Sequence, residues 1–284
     1  MIFGSLFGYN DRGKKLIKMS EVMTARINDI EMEYYTFGKG TRNFVILPGL
    51  SVKSVMLSAQ AVEEAYKVFK DEYMVWLFDR RRNMPETYGI YEMAEDTAAV
   101  MKYLGLEGSY VFGASQGGMI ALSLAVEHPE LVGKLVVGSS AARVERNSGS
   151  PLNEWIRLAE NREAEALNLS FAERVYPEDV ARAYHDFFVN DARTVTDEDL
   201  VRFVTLARGT EGFDVTERLP EIRCPMLLLG SNDDKVLGRE ASLEIIEKMK
   251  DRDDFNWFMY DGYGHAAYDT APDYKERILD FFRG

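Results

Sequence analysis

Short apolar runs alternate along the chain with longer stretches whose apolar side chains recur every three or four positions. The first kind reads as strand and the second as helix. Side chains alternate faces along a strand, but return to one face every 3.6 residues along a helix. "IEMEYYTFG" alternates apolar and polar residues, as a half-exposed strand does. "RNFVILPGL", "EYMVWLFDR", "SYVFG", "GKLVVGSS", "CPMLLLG" and "DFNWFMYDG" are compact apolar runs, the pattern of buried parallel strands. Between them, residues 92–104 place Met93, Thr97, Val100, Met101 and Leu104 on one helical face. Residues 117–127 and the closing "DYKERILDFF" do likewise. This alternation predicts an α/β fold, with a mostly parallel central sheet flanked by helices.

The alternation breaks between about Ala142 and Leu219. Three helical stretches fill the gap: "PLNEWIRLAENREAEALNLSFAERV", "PEDVARAYHDFFVND" and "TDEDLVRFVTLARG". Strands resume directly with "RCPMLLLGSNDD". Residues 142–218 are therefore expected to be a helical cap over the sheet's loops, inserted into a core of residues 24–141 and 219–284. Residues 1–23 are expected to be an N-terminal extension, with Met19 as an alternative start that leaves 1–18 loosely held.

Composition narrows the partners. The 284 residues suffice for one large domain or two modest ones. A formal charge of −13 argues against nucleic acid or an anionic membrane, since both reward basic surfaces. "DRRRN" at 79–83 is the only dense basic cluster. It is expected to be a solvated loop rather than a grip for a substrate carboxylate. No apolar run approaches the roughly 20 residues that span a bilayer. The single cysteine, Cys224, excludes an internal disulfide, fits a cytoplasmic location and reads as a core residue. No Cys-x-x-Cys, His-x-x-x-His or Glu-x-x-His spacing suggests a metal site.

The chemistry concentrates at "SYVFGASQGGMIALSLAVEHPE", Ser109 to Glu130. Gly113-Ala114-Ser115-Gln116-Gly117 fits G-x-S-x-G, with a strand before it and a helix after it. A turn this sharp crowds the residues two before and two after the serine. Glycines there relieve the clash and let Ser115 take a strained conformation with its hydroxyl at the carboxyl end of the sheet. A serine nucleophile needs a base, and the base needs an orienting group. His265, in "MYDGYGHAAYD", follows the last strand-like run in a glycine-flanked turn. His128 reads as a helix C-cap before Pro129, and His185 as a surface or packing residue. The acid is expected just past "MLLLGSNDD": Asp234, aimed inward by the anchoring Val236, with Asp233 a solvated turn residue and Asp261 the end of the last strand.

On these residues the sequence resembles the α/β-hydrolase fold superfamily from about Met32 to Phe282, in that family's order Ser…Asp…His. "MAEDTAAVMKYLGLEGSYVFGASQGGMIALSLAVEHPELVGKLVV" is similar to the family's nucleophile segment, "IRCPMLLLGSNDDKV" to its acid loop and "YGH" to its histidine loop. The resemblance implies Ser115 as nucleophile, Asp234 as orienting acid and His265 as base. It also implies an oxyanion hole made by the backbone N–H groups of Gln116 and of the "VILPGLSVKS" loop. Pro48 stands where the family usually has histidine and has no N–H to give, so the second donor is Gly49 or Leu50, and Leu50 is preferred. Ala114 and "DRRRNMPE" also depart from the family pattern.

A serine at this position implies acyl transfer to water: hydrolysis of a carboxylic ester, lactone or amide of small to medium size, with no cofactor. Trp155, Ile156, Phe171, Tyr184, Phe187, Phe188 and Phe203 are expected to build the cap core, a few of them lining a mainly apolar pocket. Two alternatives stand beside this reading. One is a carbon–carbon bond hydrolase of a dioxo-acid, and the other is a non-enzymatic ligand-binding regulator on the same fold.

Overall fold

Among the described residues, eight strands form one sheet in the order β1-β2-β4-β3-β5-β6-β7-β8. They are β1 (Met23–Ile27), β2 (Ile30–Gly38), β3 (Arg42–Leu47), β4 (Tyr73–Arg81), β5 (Ser109–Ala114), β6 (Val132–Gly138), β7 (Met226–Ser231) and β8 (Phe255–Tyr260). The computed structural model describes residues 21–145 and 148–284, so Met19 and the expected loose segment 1–18 lie outside the described residues. From β3 to β8 every pairing is parallel, whereas β1 and β2 add an antiparallel edge. The seven expected strands are β2 to β8. The unexpected one, β1, begins at Met23, inside the stretch read as an extension. Its five residues "MTARI" are too short for periodicity to reveal them. The two-residue turn Asn28-Asp29 fixes them instead, joining the paired Ile27 and Ile30 with Asn28 at φ 52°.

Helices cover both faces. Helices α1 (Ala59–Ala65), α2 (Ile90–Tyr103) and α3 (Gln116–Glu127) precede the break in the alternation. Val45, Val111 and Val137 of the sheet pack with Met93, Met101 and Ile120 of α2 and α3. Phe44, Phe112 and Val136, on the opposite face, pack with Ala59 of α1 and with Tyr274, Ile278 and Phe282 near the carboxyl terminus. Strands covered on both sides lose nearly all exposure, which is why they read as unbroken apolar runs.

Between β6 and β7 the chain forms α4 (Pro151–Glu160), α5 (Ala164–Val175), α6 (Glu178–Ala183), α7 (His185–Ala192) and α8 (Asp197–Arg208). The first two expected helical stretches each divide. The longer one breaks at Asn161–Glu163, where Arg162 sits at φ 61°, a backbone turn that side-chain periodicity does not reveal. Thr196 and Asp199 cap α8 reciprocally, side chain to backbone in both directions. At the base of the insertion, Val144 N–H donates to the Phe213 carbonyl and Val215 N–H to the Ala142 carbonyl, each at 2.8 Å. The insertion's apolar core, with Leu152, Trp155, Leu167 and Phe203, also takes in Val52 after β3 and Ala266 beside His265. The inserted helices are thus seated on loops at the carboxyl end of the sheet. Helices α9 (Arg239–Met249), α10 (Ala267–Thr270) and α11 (Tyr274–Arg283) complete the chain. Among the described residues no helix is long and apolar enough to cross a membrane.

Candidate active site

Strand β5 ends at Ala114 and α3 begins at Gln116, so Ser115 alone turns the chain, at φ 52° and ψ −122°. Such a backbone costs a non-glycine residue on the order of 1–3 kcal/mol and persists only where its surroundings enforce it. Ser115 N–H donates to the Gly138 carbonyl at 2.8 Å, and Ser140 Oγ donates to the Ser115 carbonyl at 2.7 Å. The flanking glycines are needed for space. A Cβ on Gly113 would lie 2.2 Å from the Gly117 carbonyl oxygen, and one on Gly117 only 2.0 Å from that of Leu47. The crowding the sequence implies is therefore real, and the neighbouring strand β3 adds to it. Gly117→Ala is expected to destabilise the protein by about 3 kcal/mol or more, since backbone atoms cannot yield as side chains do. A melting temperature within a degree or two of wild type would contradict this.

The imidazole and the carboxylate arrive from separate loops. Asp234 follows β7 and His265 follows β8, and His265 Nδ1 lies 2.8 Å from Asp234 Oδ2 with both side chains almost fully buried. Asp234 Oδ1 accepts the backbone N–H groups of Val236 at 2.8 Å and Leu237 at 3.0 Å. Burial alone would raise the Asp234 carboxyl. The adjacent imidazole and the two N–H donors outweigh it and hold the group below the usual carboxylate range. Val236 thus meets the carboxylate through its backbone N–H, a contact that side-chain character does not reveal.

Asp233 is not the solvated turn residue expected of it. Its carboxylate accepts from Ser231 Oγ at 2.9 Å, Gly262 N–H at 3.1 Å and Gly264 N–H at 3.0 Å, tying the β7 loop to the loop that carries His265. Sequence spacing gives no sign of this, because Gly264 lies 31 residues away. Asp261 directly follows β8 and accepts from Asn232 Nδ2 at 2.8 Å. His128 caps α3 and contacts Glu95 at 2.9 Å, while His185 is exposed beside Asp186.

Ser115, Gln116, His265 and Leu50 face one cavity of about 30 Å³. Such a space holds about two water molecules. Its other walls are mostly apolar and include Trp155, Phe171 and Val175 from the inserted helices. Of the aromatic residues anticipated for the insertion, Trp155 and Phe171 line the cavity and pack at a tilt with ring centroids 4.6 Å apart. Phe203 and Ile156 are buried in the insertion's own core, and Phe188 stacks on Tyr176 instead. Tyr268, which the sequence reading passed over, also lines the cavity, its ring edge-on to His265. No spacing in the sequence marks it, because His265 lies in a turn and the short helix that carries Tyr268 begins only at Ala267.

The basic cluster departs from expectation. Arg80 and Arg81, at the end of β4, are buried; the strand runs further than its apolar residues do. Arg80 Nη2 donates to the Pro48 carbonyl at 2.6 Å and to Gln116 Oε1 at 3.3 Å. Arg81 pairs with Asp29 and Asp96, and Arg82 with Glu33. Burial pulls the Arg80 guanidinium down to about 10, still charged at neutral pH. Cys224 is buried as expected, its thiol pushed up to about 11 by desolvation. Among the described residues, no group of three or more His, Cys, Asp or Glu is placed to hold a metal ion.

Comparison with known proteins adds the lineage. Residues 86–269 match the family model described as serine aminopeptidase, S33. A protein of Rhizobium rhizogenes, provisionally named carbamate hydrolase RutD, is 27% identical over 207 residues, covering 71% of this chain and 77% of that one. The 2-hydroxy-6-oxo-6-phenylhexa-2,4-dienoate hydrolase of Comamonas testosteroni is 26% identical over 218 residues, covering 70% and 71%. Among solved structures, MGS-M2, an α/β hydrolase from a Medee basin deep-sea metagenome library, superposes with a TM-score of 0.81 at 20% identity, over 92% of this chain and 98% of that one.

Proposed function

Given that this chain belongs to the serine aminopeptidase S33 family of α/β hydrolases, we propose that it cleaves a small, uncharged acyl compound through an acyl-enzyme on Ser115. The observation that carries this reading is the cavity shared by the strained Ser115 and by His265, whose Nδ1 is held by the buried Asp234. With Nδ1–H donated to a carboxylate, the lone pair of the neutral imidazole sits on Nε2, where a base must have it. Ser115 Oγ attacks the substrate carbonyl, His265 takes its proton, and Asp234 steadies the imidazolium. Water then releases the acyl group by the reverse proton transfers.

The oxyanion is held by the N–H groups of Gln116 and Leu50. Gln116 is the first residue of α3, where backbone N–H groups have no partner within the helix. Support for Leu50 over Gly49 comes from peptide planarity. The Pro48 carbonyl points toward Arg80 and lies 2.5 Å from where a Cβ of Gly117 would sit, so it faces the elbow. The Gly49 N–H of that trans peptide then points the opposite way. The inserted helices act as the cap and supply the apolar wall.

The cavity favours a small neutral acyl group. The relative from Comamonas testosteroni brings carbon–carbon cleavage of a dienoate into view, but none of the described lining residues is lysine or arginine. Arg80, Arg81 and Arg82 are instead spent on the protein's own groups. Fluorophosphonate labelling followed by turnover on esters, lactones, amides and carbamates of increasing acyl length tests the reading. Label on Ser115 and fastest turnover of the shortest neutral acyl groups are expected. Failure to label would favour a ligand-binding regulator, and preference for acidic dioxo substrates would favour carbon–carbon cleavage.

A further inference from the structure

The loop that carries Leu50 is gripped on both sides of the two peptide bonds that flank Leu50. Arg80 Nη2 donates to the Pro48 carbonyl at 2.6 Å, and Arg202 Nη1 donates to the Ser51 carbonyl at 3.2 Å. These two carbonyls bracket the Gly49–Leu50 and Leu50–Ser51 peptides, and the N–H of the first is the proposed second oxyanion donor. A single buried carboxylate joins the two grips. Asp79 Oδ1 accepts from Arg202 Nη2 at 2.5 Å and from the Arg80 backbone N–H at 2.8 Å, and its Oδ2 accepts from Ser54 Oγ at 2.5 Å. Asp79 is 5% exposed and Arg80 4%, so solvent screens neither.

Arg202 belongs to the cap helix α8, and so does Leu206, four residues on and one turn along the same face. The Leu206 carbonyl accepts from Gln116 Nε2 at 2.8 Å, while Gln116 Oε1 accepts from Arg80. One face of one cap helix therefore touches both segments that supply oxyanion donors: the Leu50 loop through Arg202 and the head of α3 through Leu206. Nothing in acyl chemistry requires an arginine from the cap here, and Arg202 does not line the acyl cavity.

We infer that Arg202 is a positioning residue: seating of α8 on Asp79 and Ser51 sets the Leu50 N–H against the elbow, so the oxyanion hole is complete only with the cap in place. This rests on the reading of Leu50 and Gln116 as oxyanion donors. It gives the cap a part in the reaction beyond covering the substrate. Arg80 is the fixed arm of the clamp and Arg202 the arm that arrives with the cap.

The test uses Arg202→Met, Arg202→Lys and, as a control from the same helix, Arg208→Met, which removes only an exposed pair with Glu160 of α4. Active sites are counted by stoichiometric fluorophosphonate labelling, and kcat is expressed per labelled serine on a short activated ester. Affinity is measured for an alkylboronic acid, whose tetrahedral adduct on the serine places a negative oxygen in the hole. Arg202→Met is expected to lose about 10²-fold in kcat, the scale of an ångström-sized misplacement. Boronic acid affinity falls in parallel and KM changes little. Arg202→Lys falls between, because one ammonium can keep Asp79 but cannot fork to Ser51 as well. Arg208→Met behaves as wild type. A lower melting temperature with kcat per labelled serine and boronate affinity unchanged would overturn the inference and leave a merely structural contact. Should Arg202→Met not fold, Arg202→Lys decides by the same two readouts. A wild-type protein that does not label would instead overturn the hydrolase reading itself.

Discussion

Replacing Ser115 with alanine is expected to lower turnover of a small activated ester by about 10⁶-fold, the scale of loss when a serine triad is left without its nucleophile. The variant should nevertheless fold. The contacts that hold the elbow at Ser115 are made by its backbone N–H and carbonyl, which bond Gly138 and Ser140 and survive the substitution. Alanine bears the φ of 52° no worse than serine, since both carry a Cβ. Melting temperature near wild type with activity gone separates chemistry from stability. Esterase activity surviving in pure Ser115→Ala protein would remove Ser115 from the mechanism.

Asp234→Asn is expected to cost about 10⁴-fold in kcat. In the wild type, Asp234 Oδ1 accepts two backbone N–H groups and Oδ2 faces His265 Nδ1. An asparagine must keep its carbonyl oxygen on the two N–H donors, which turns its NH₂ toward Nδ1. The imidazole proton then moves to Nε2, and the base has no lone pair for the serine hydroxyl. The same substitution has a pH signature in stability. The Asp234 carboxyl titrates below its usual value in the folded protein, so the folded state binds fewer protons than the unfolded chain as the pH falls. Its contribution is fully present above the unfolded value of about 4 and is lost as pH drops through the depressed one. The stability gap between wild type and Asp234→Asn should therefore shrink below about pH 4. Denaturant titrations at several pH values would show it, and a gap that stayed constant to pH 2 would exclude the ionised carboxylate as its source.

The α/β fold was legible because its signals are local. Seven strands announce themselves as apolar runs, and the helical face of Met93, Thr97, Val100 and Met101 is buried as its spacing requires. The elbow was legible in part for the same reason: Gly113 answers a clash with Gly117 within five residues of chain, whereas the clash at Gly117 comes from Leu47 of β3. Where a signal was absent or ambiguous over that range, the reading failed. Strand β1 is defined by a turn and a partner more than by its own pattern, and Arg162 breaks a helix whose period runs on through it.

What the sequence determined by itself was the order of elements, the strained serine between a strand and a helix, and the residues worth testing as its partners. Tertiary structure alone decided which groups touch. It buried Arg80 and Arg81, gave Asp233 to the histidine loop, limited the cavity shared by Ser115 and His265 to about 30 Å³ and set Arg202 of α8 on the loop of Leu50. Each of these depends on distances between segments tens to more than a hundred residues apart. Side-chain periodicity carries no information over such separations; only the packed sheet brings those segments to one edge.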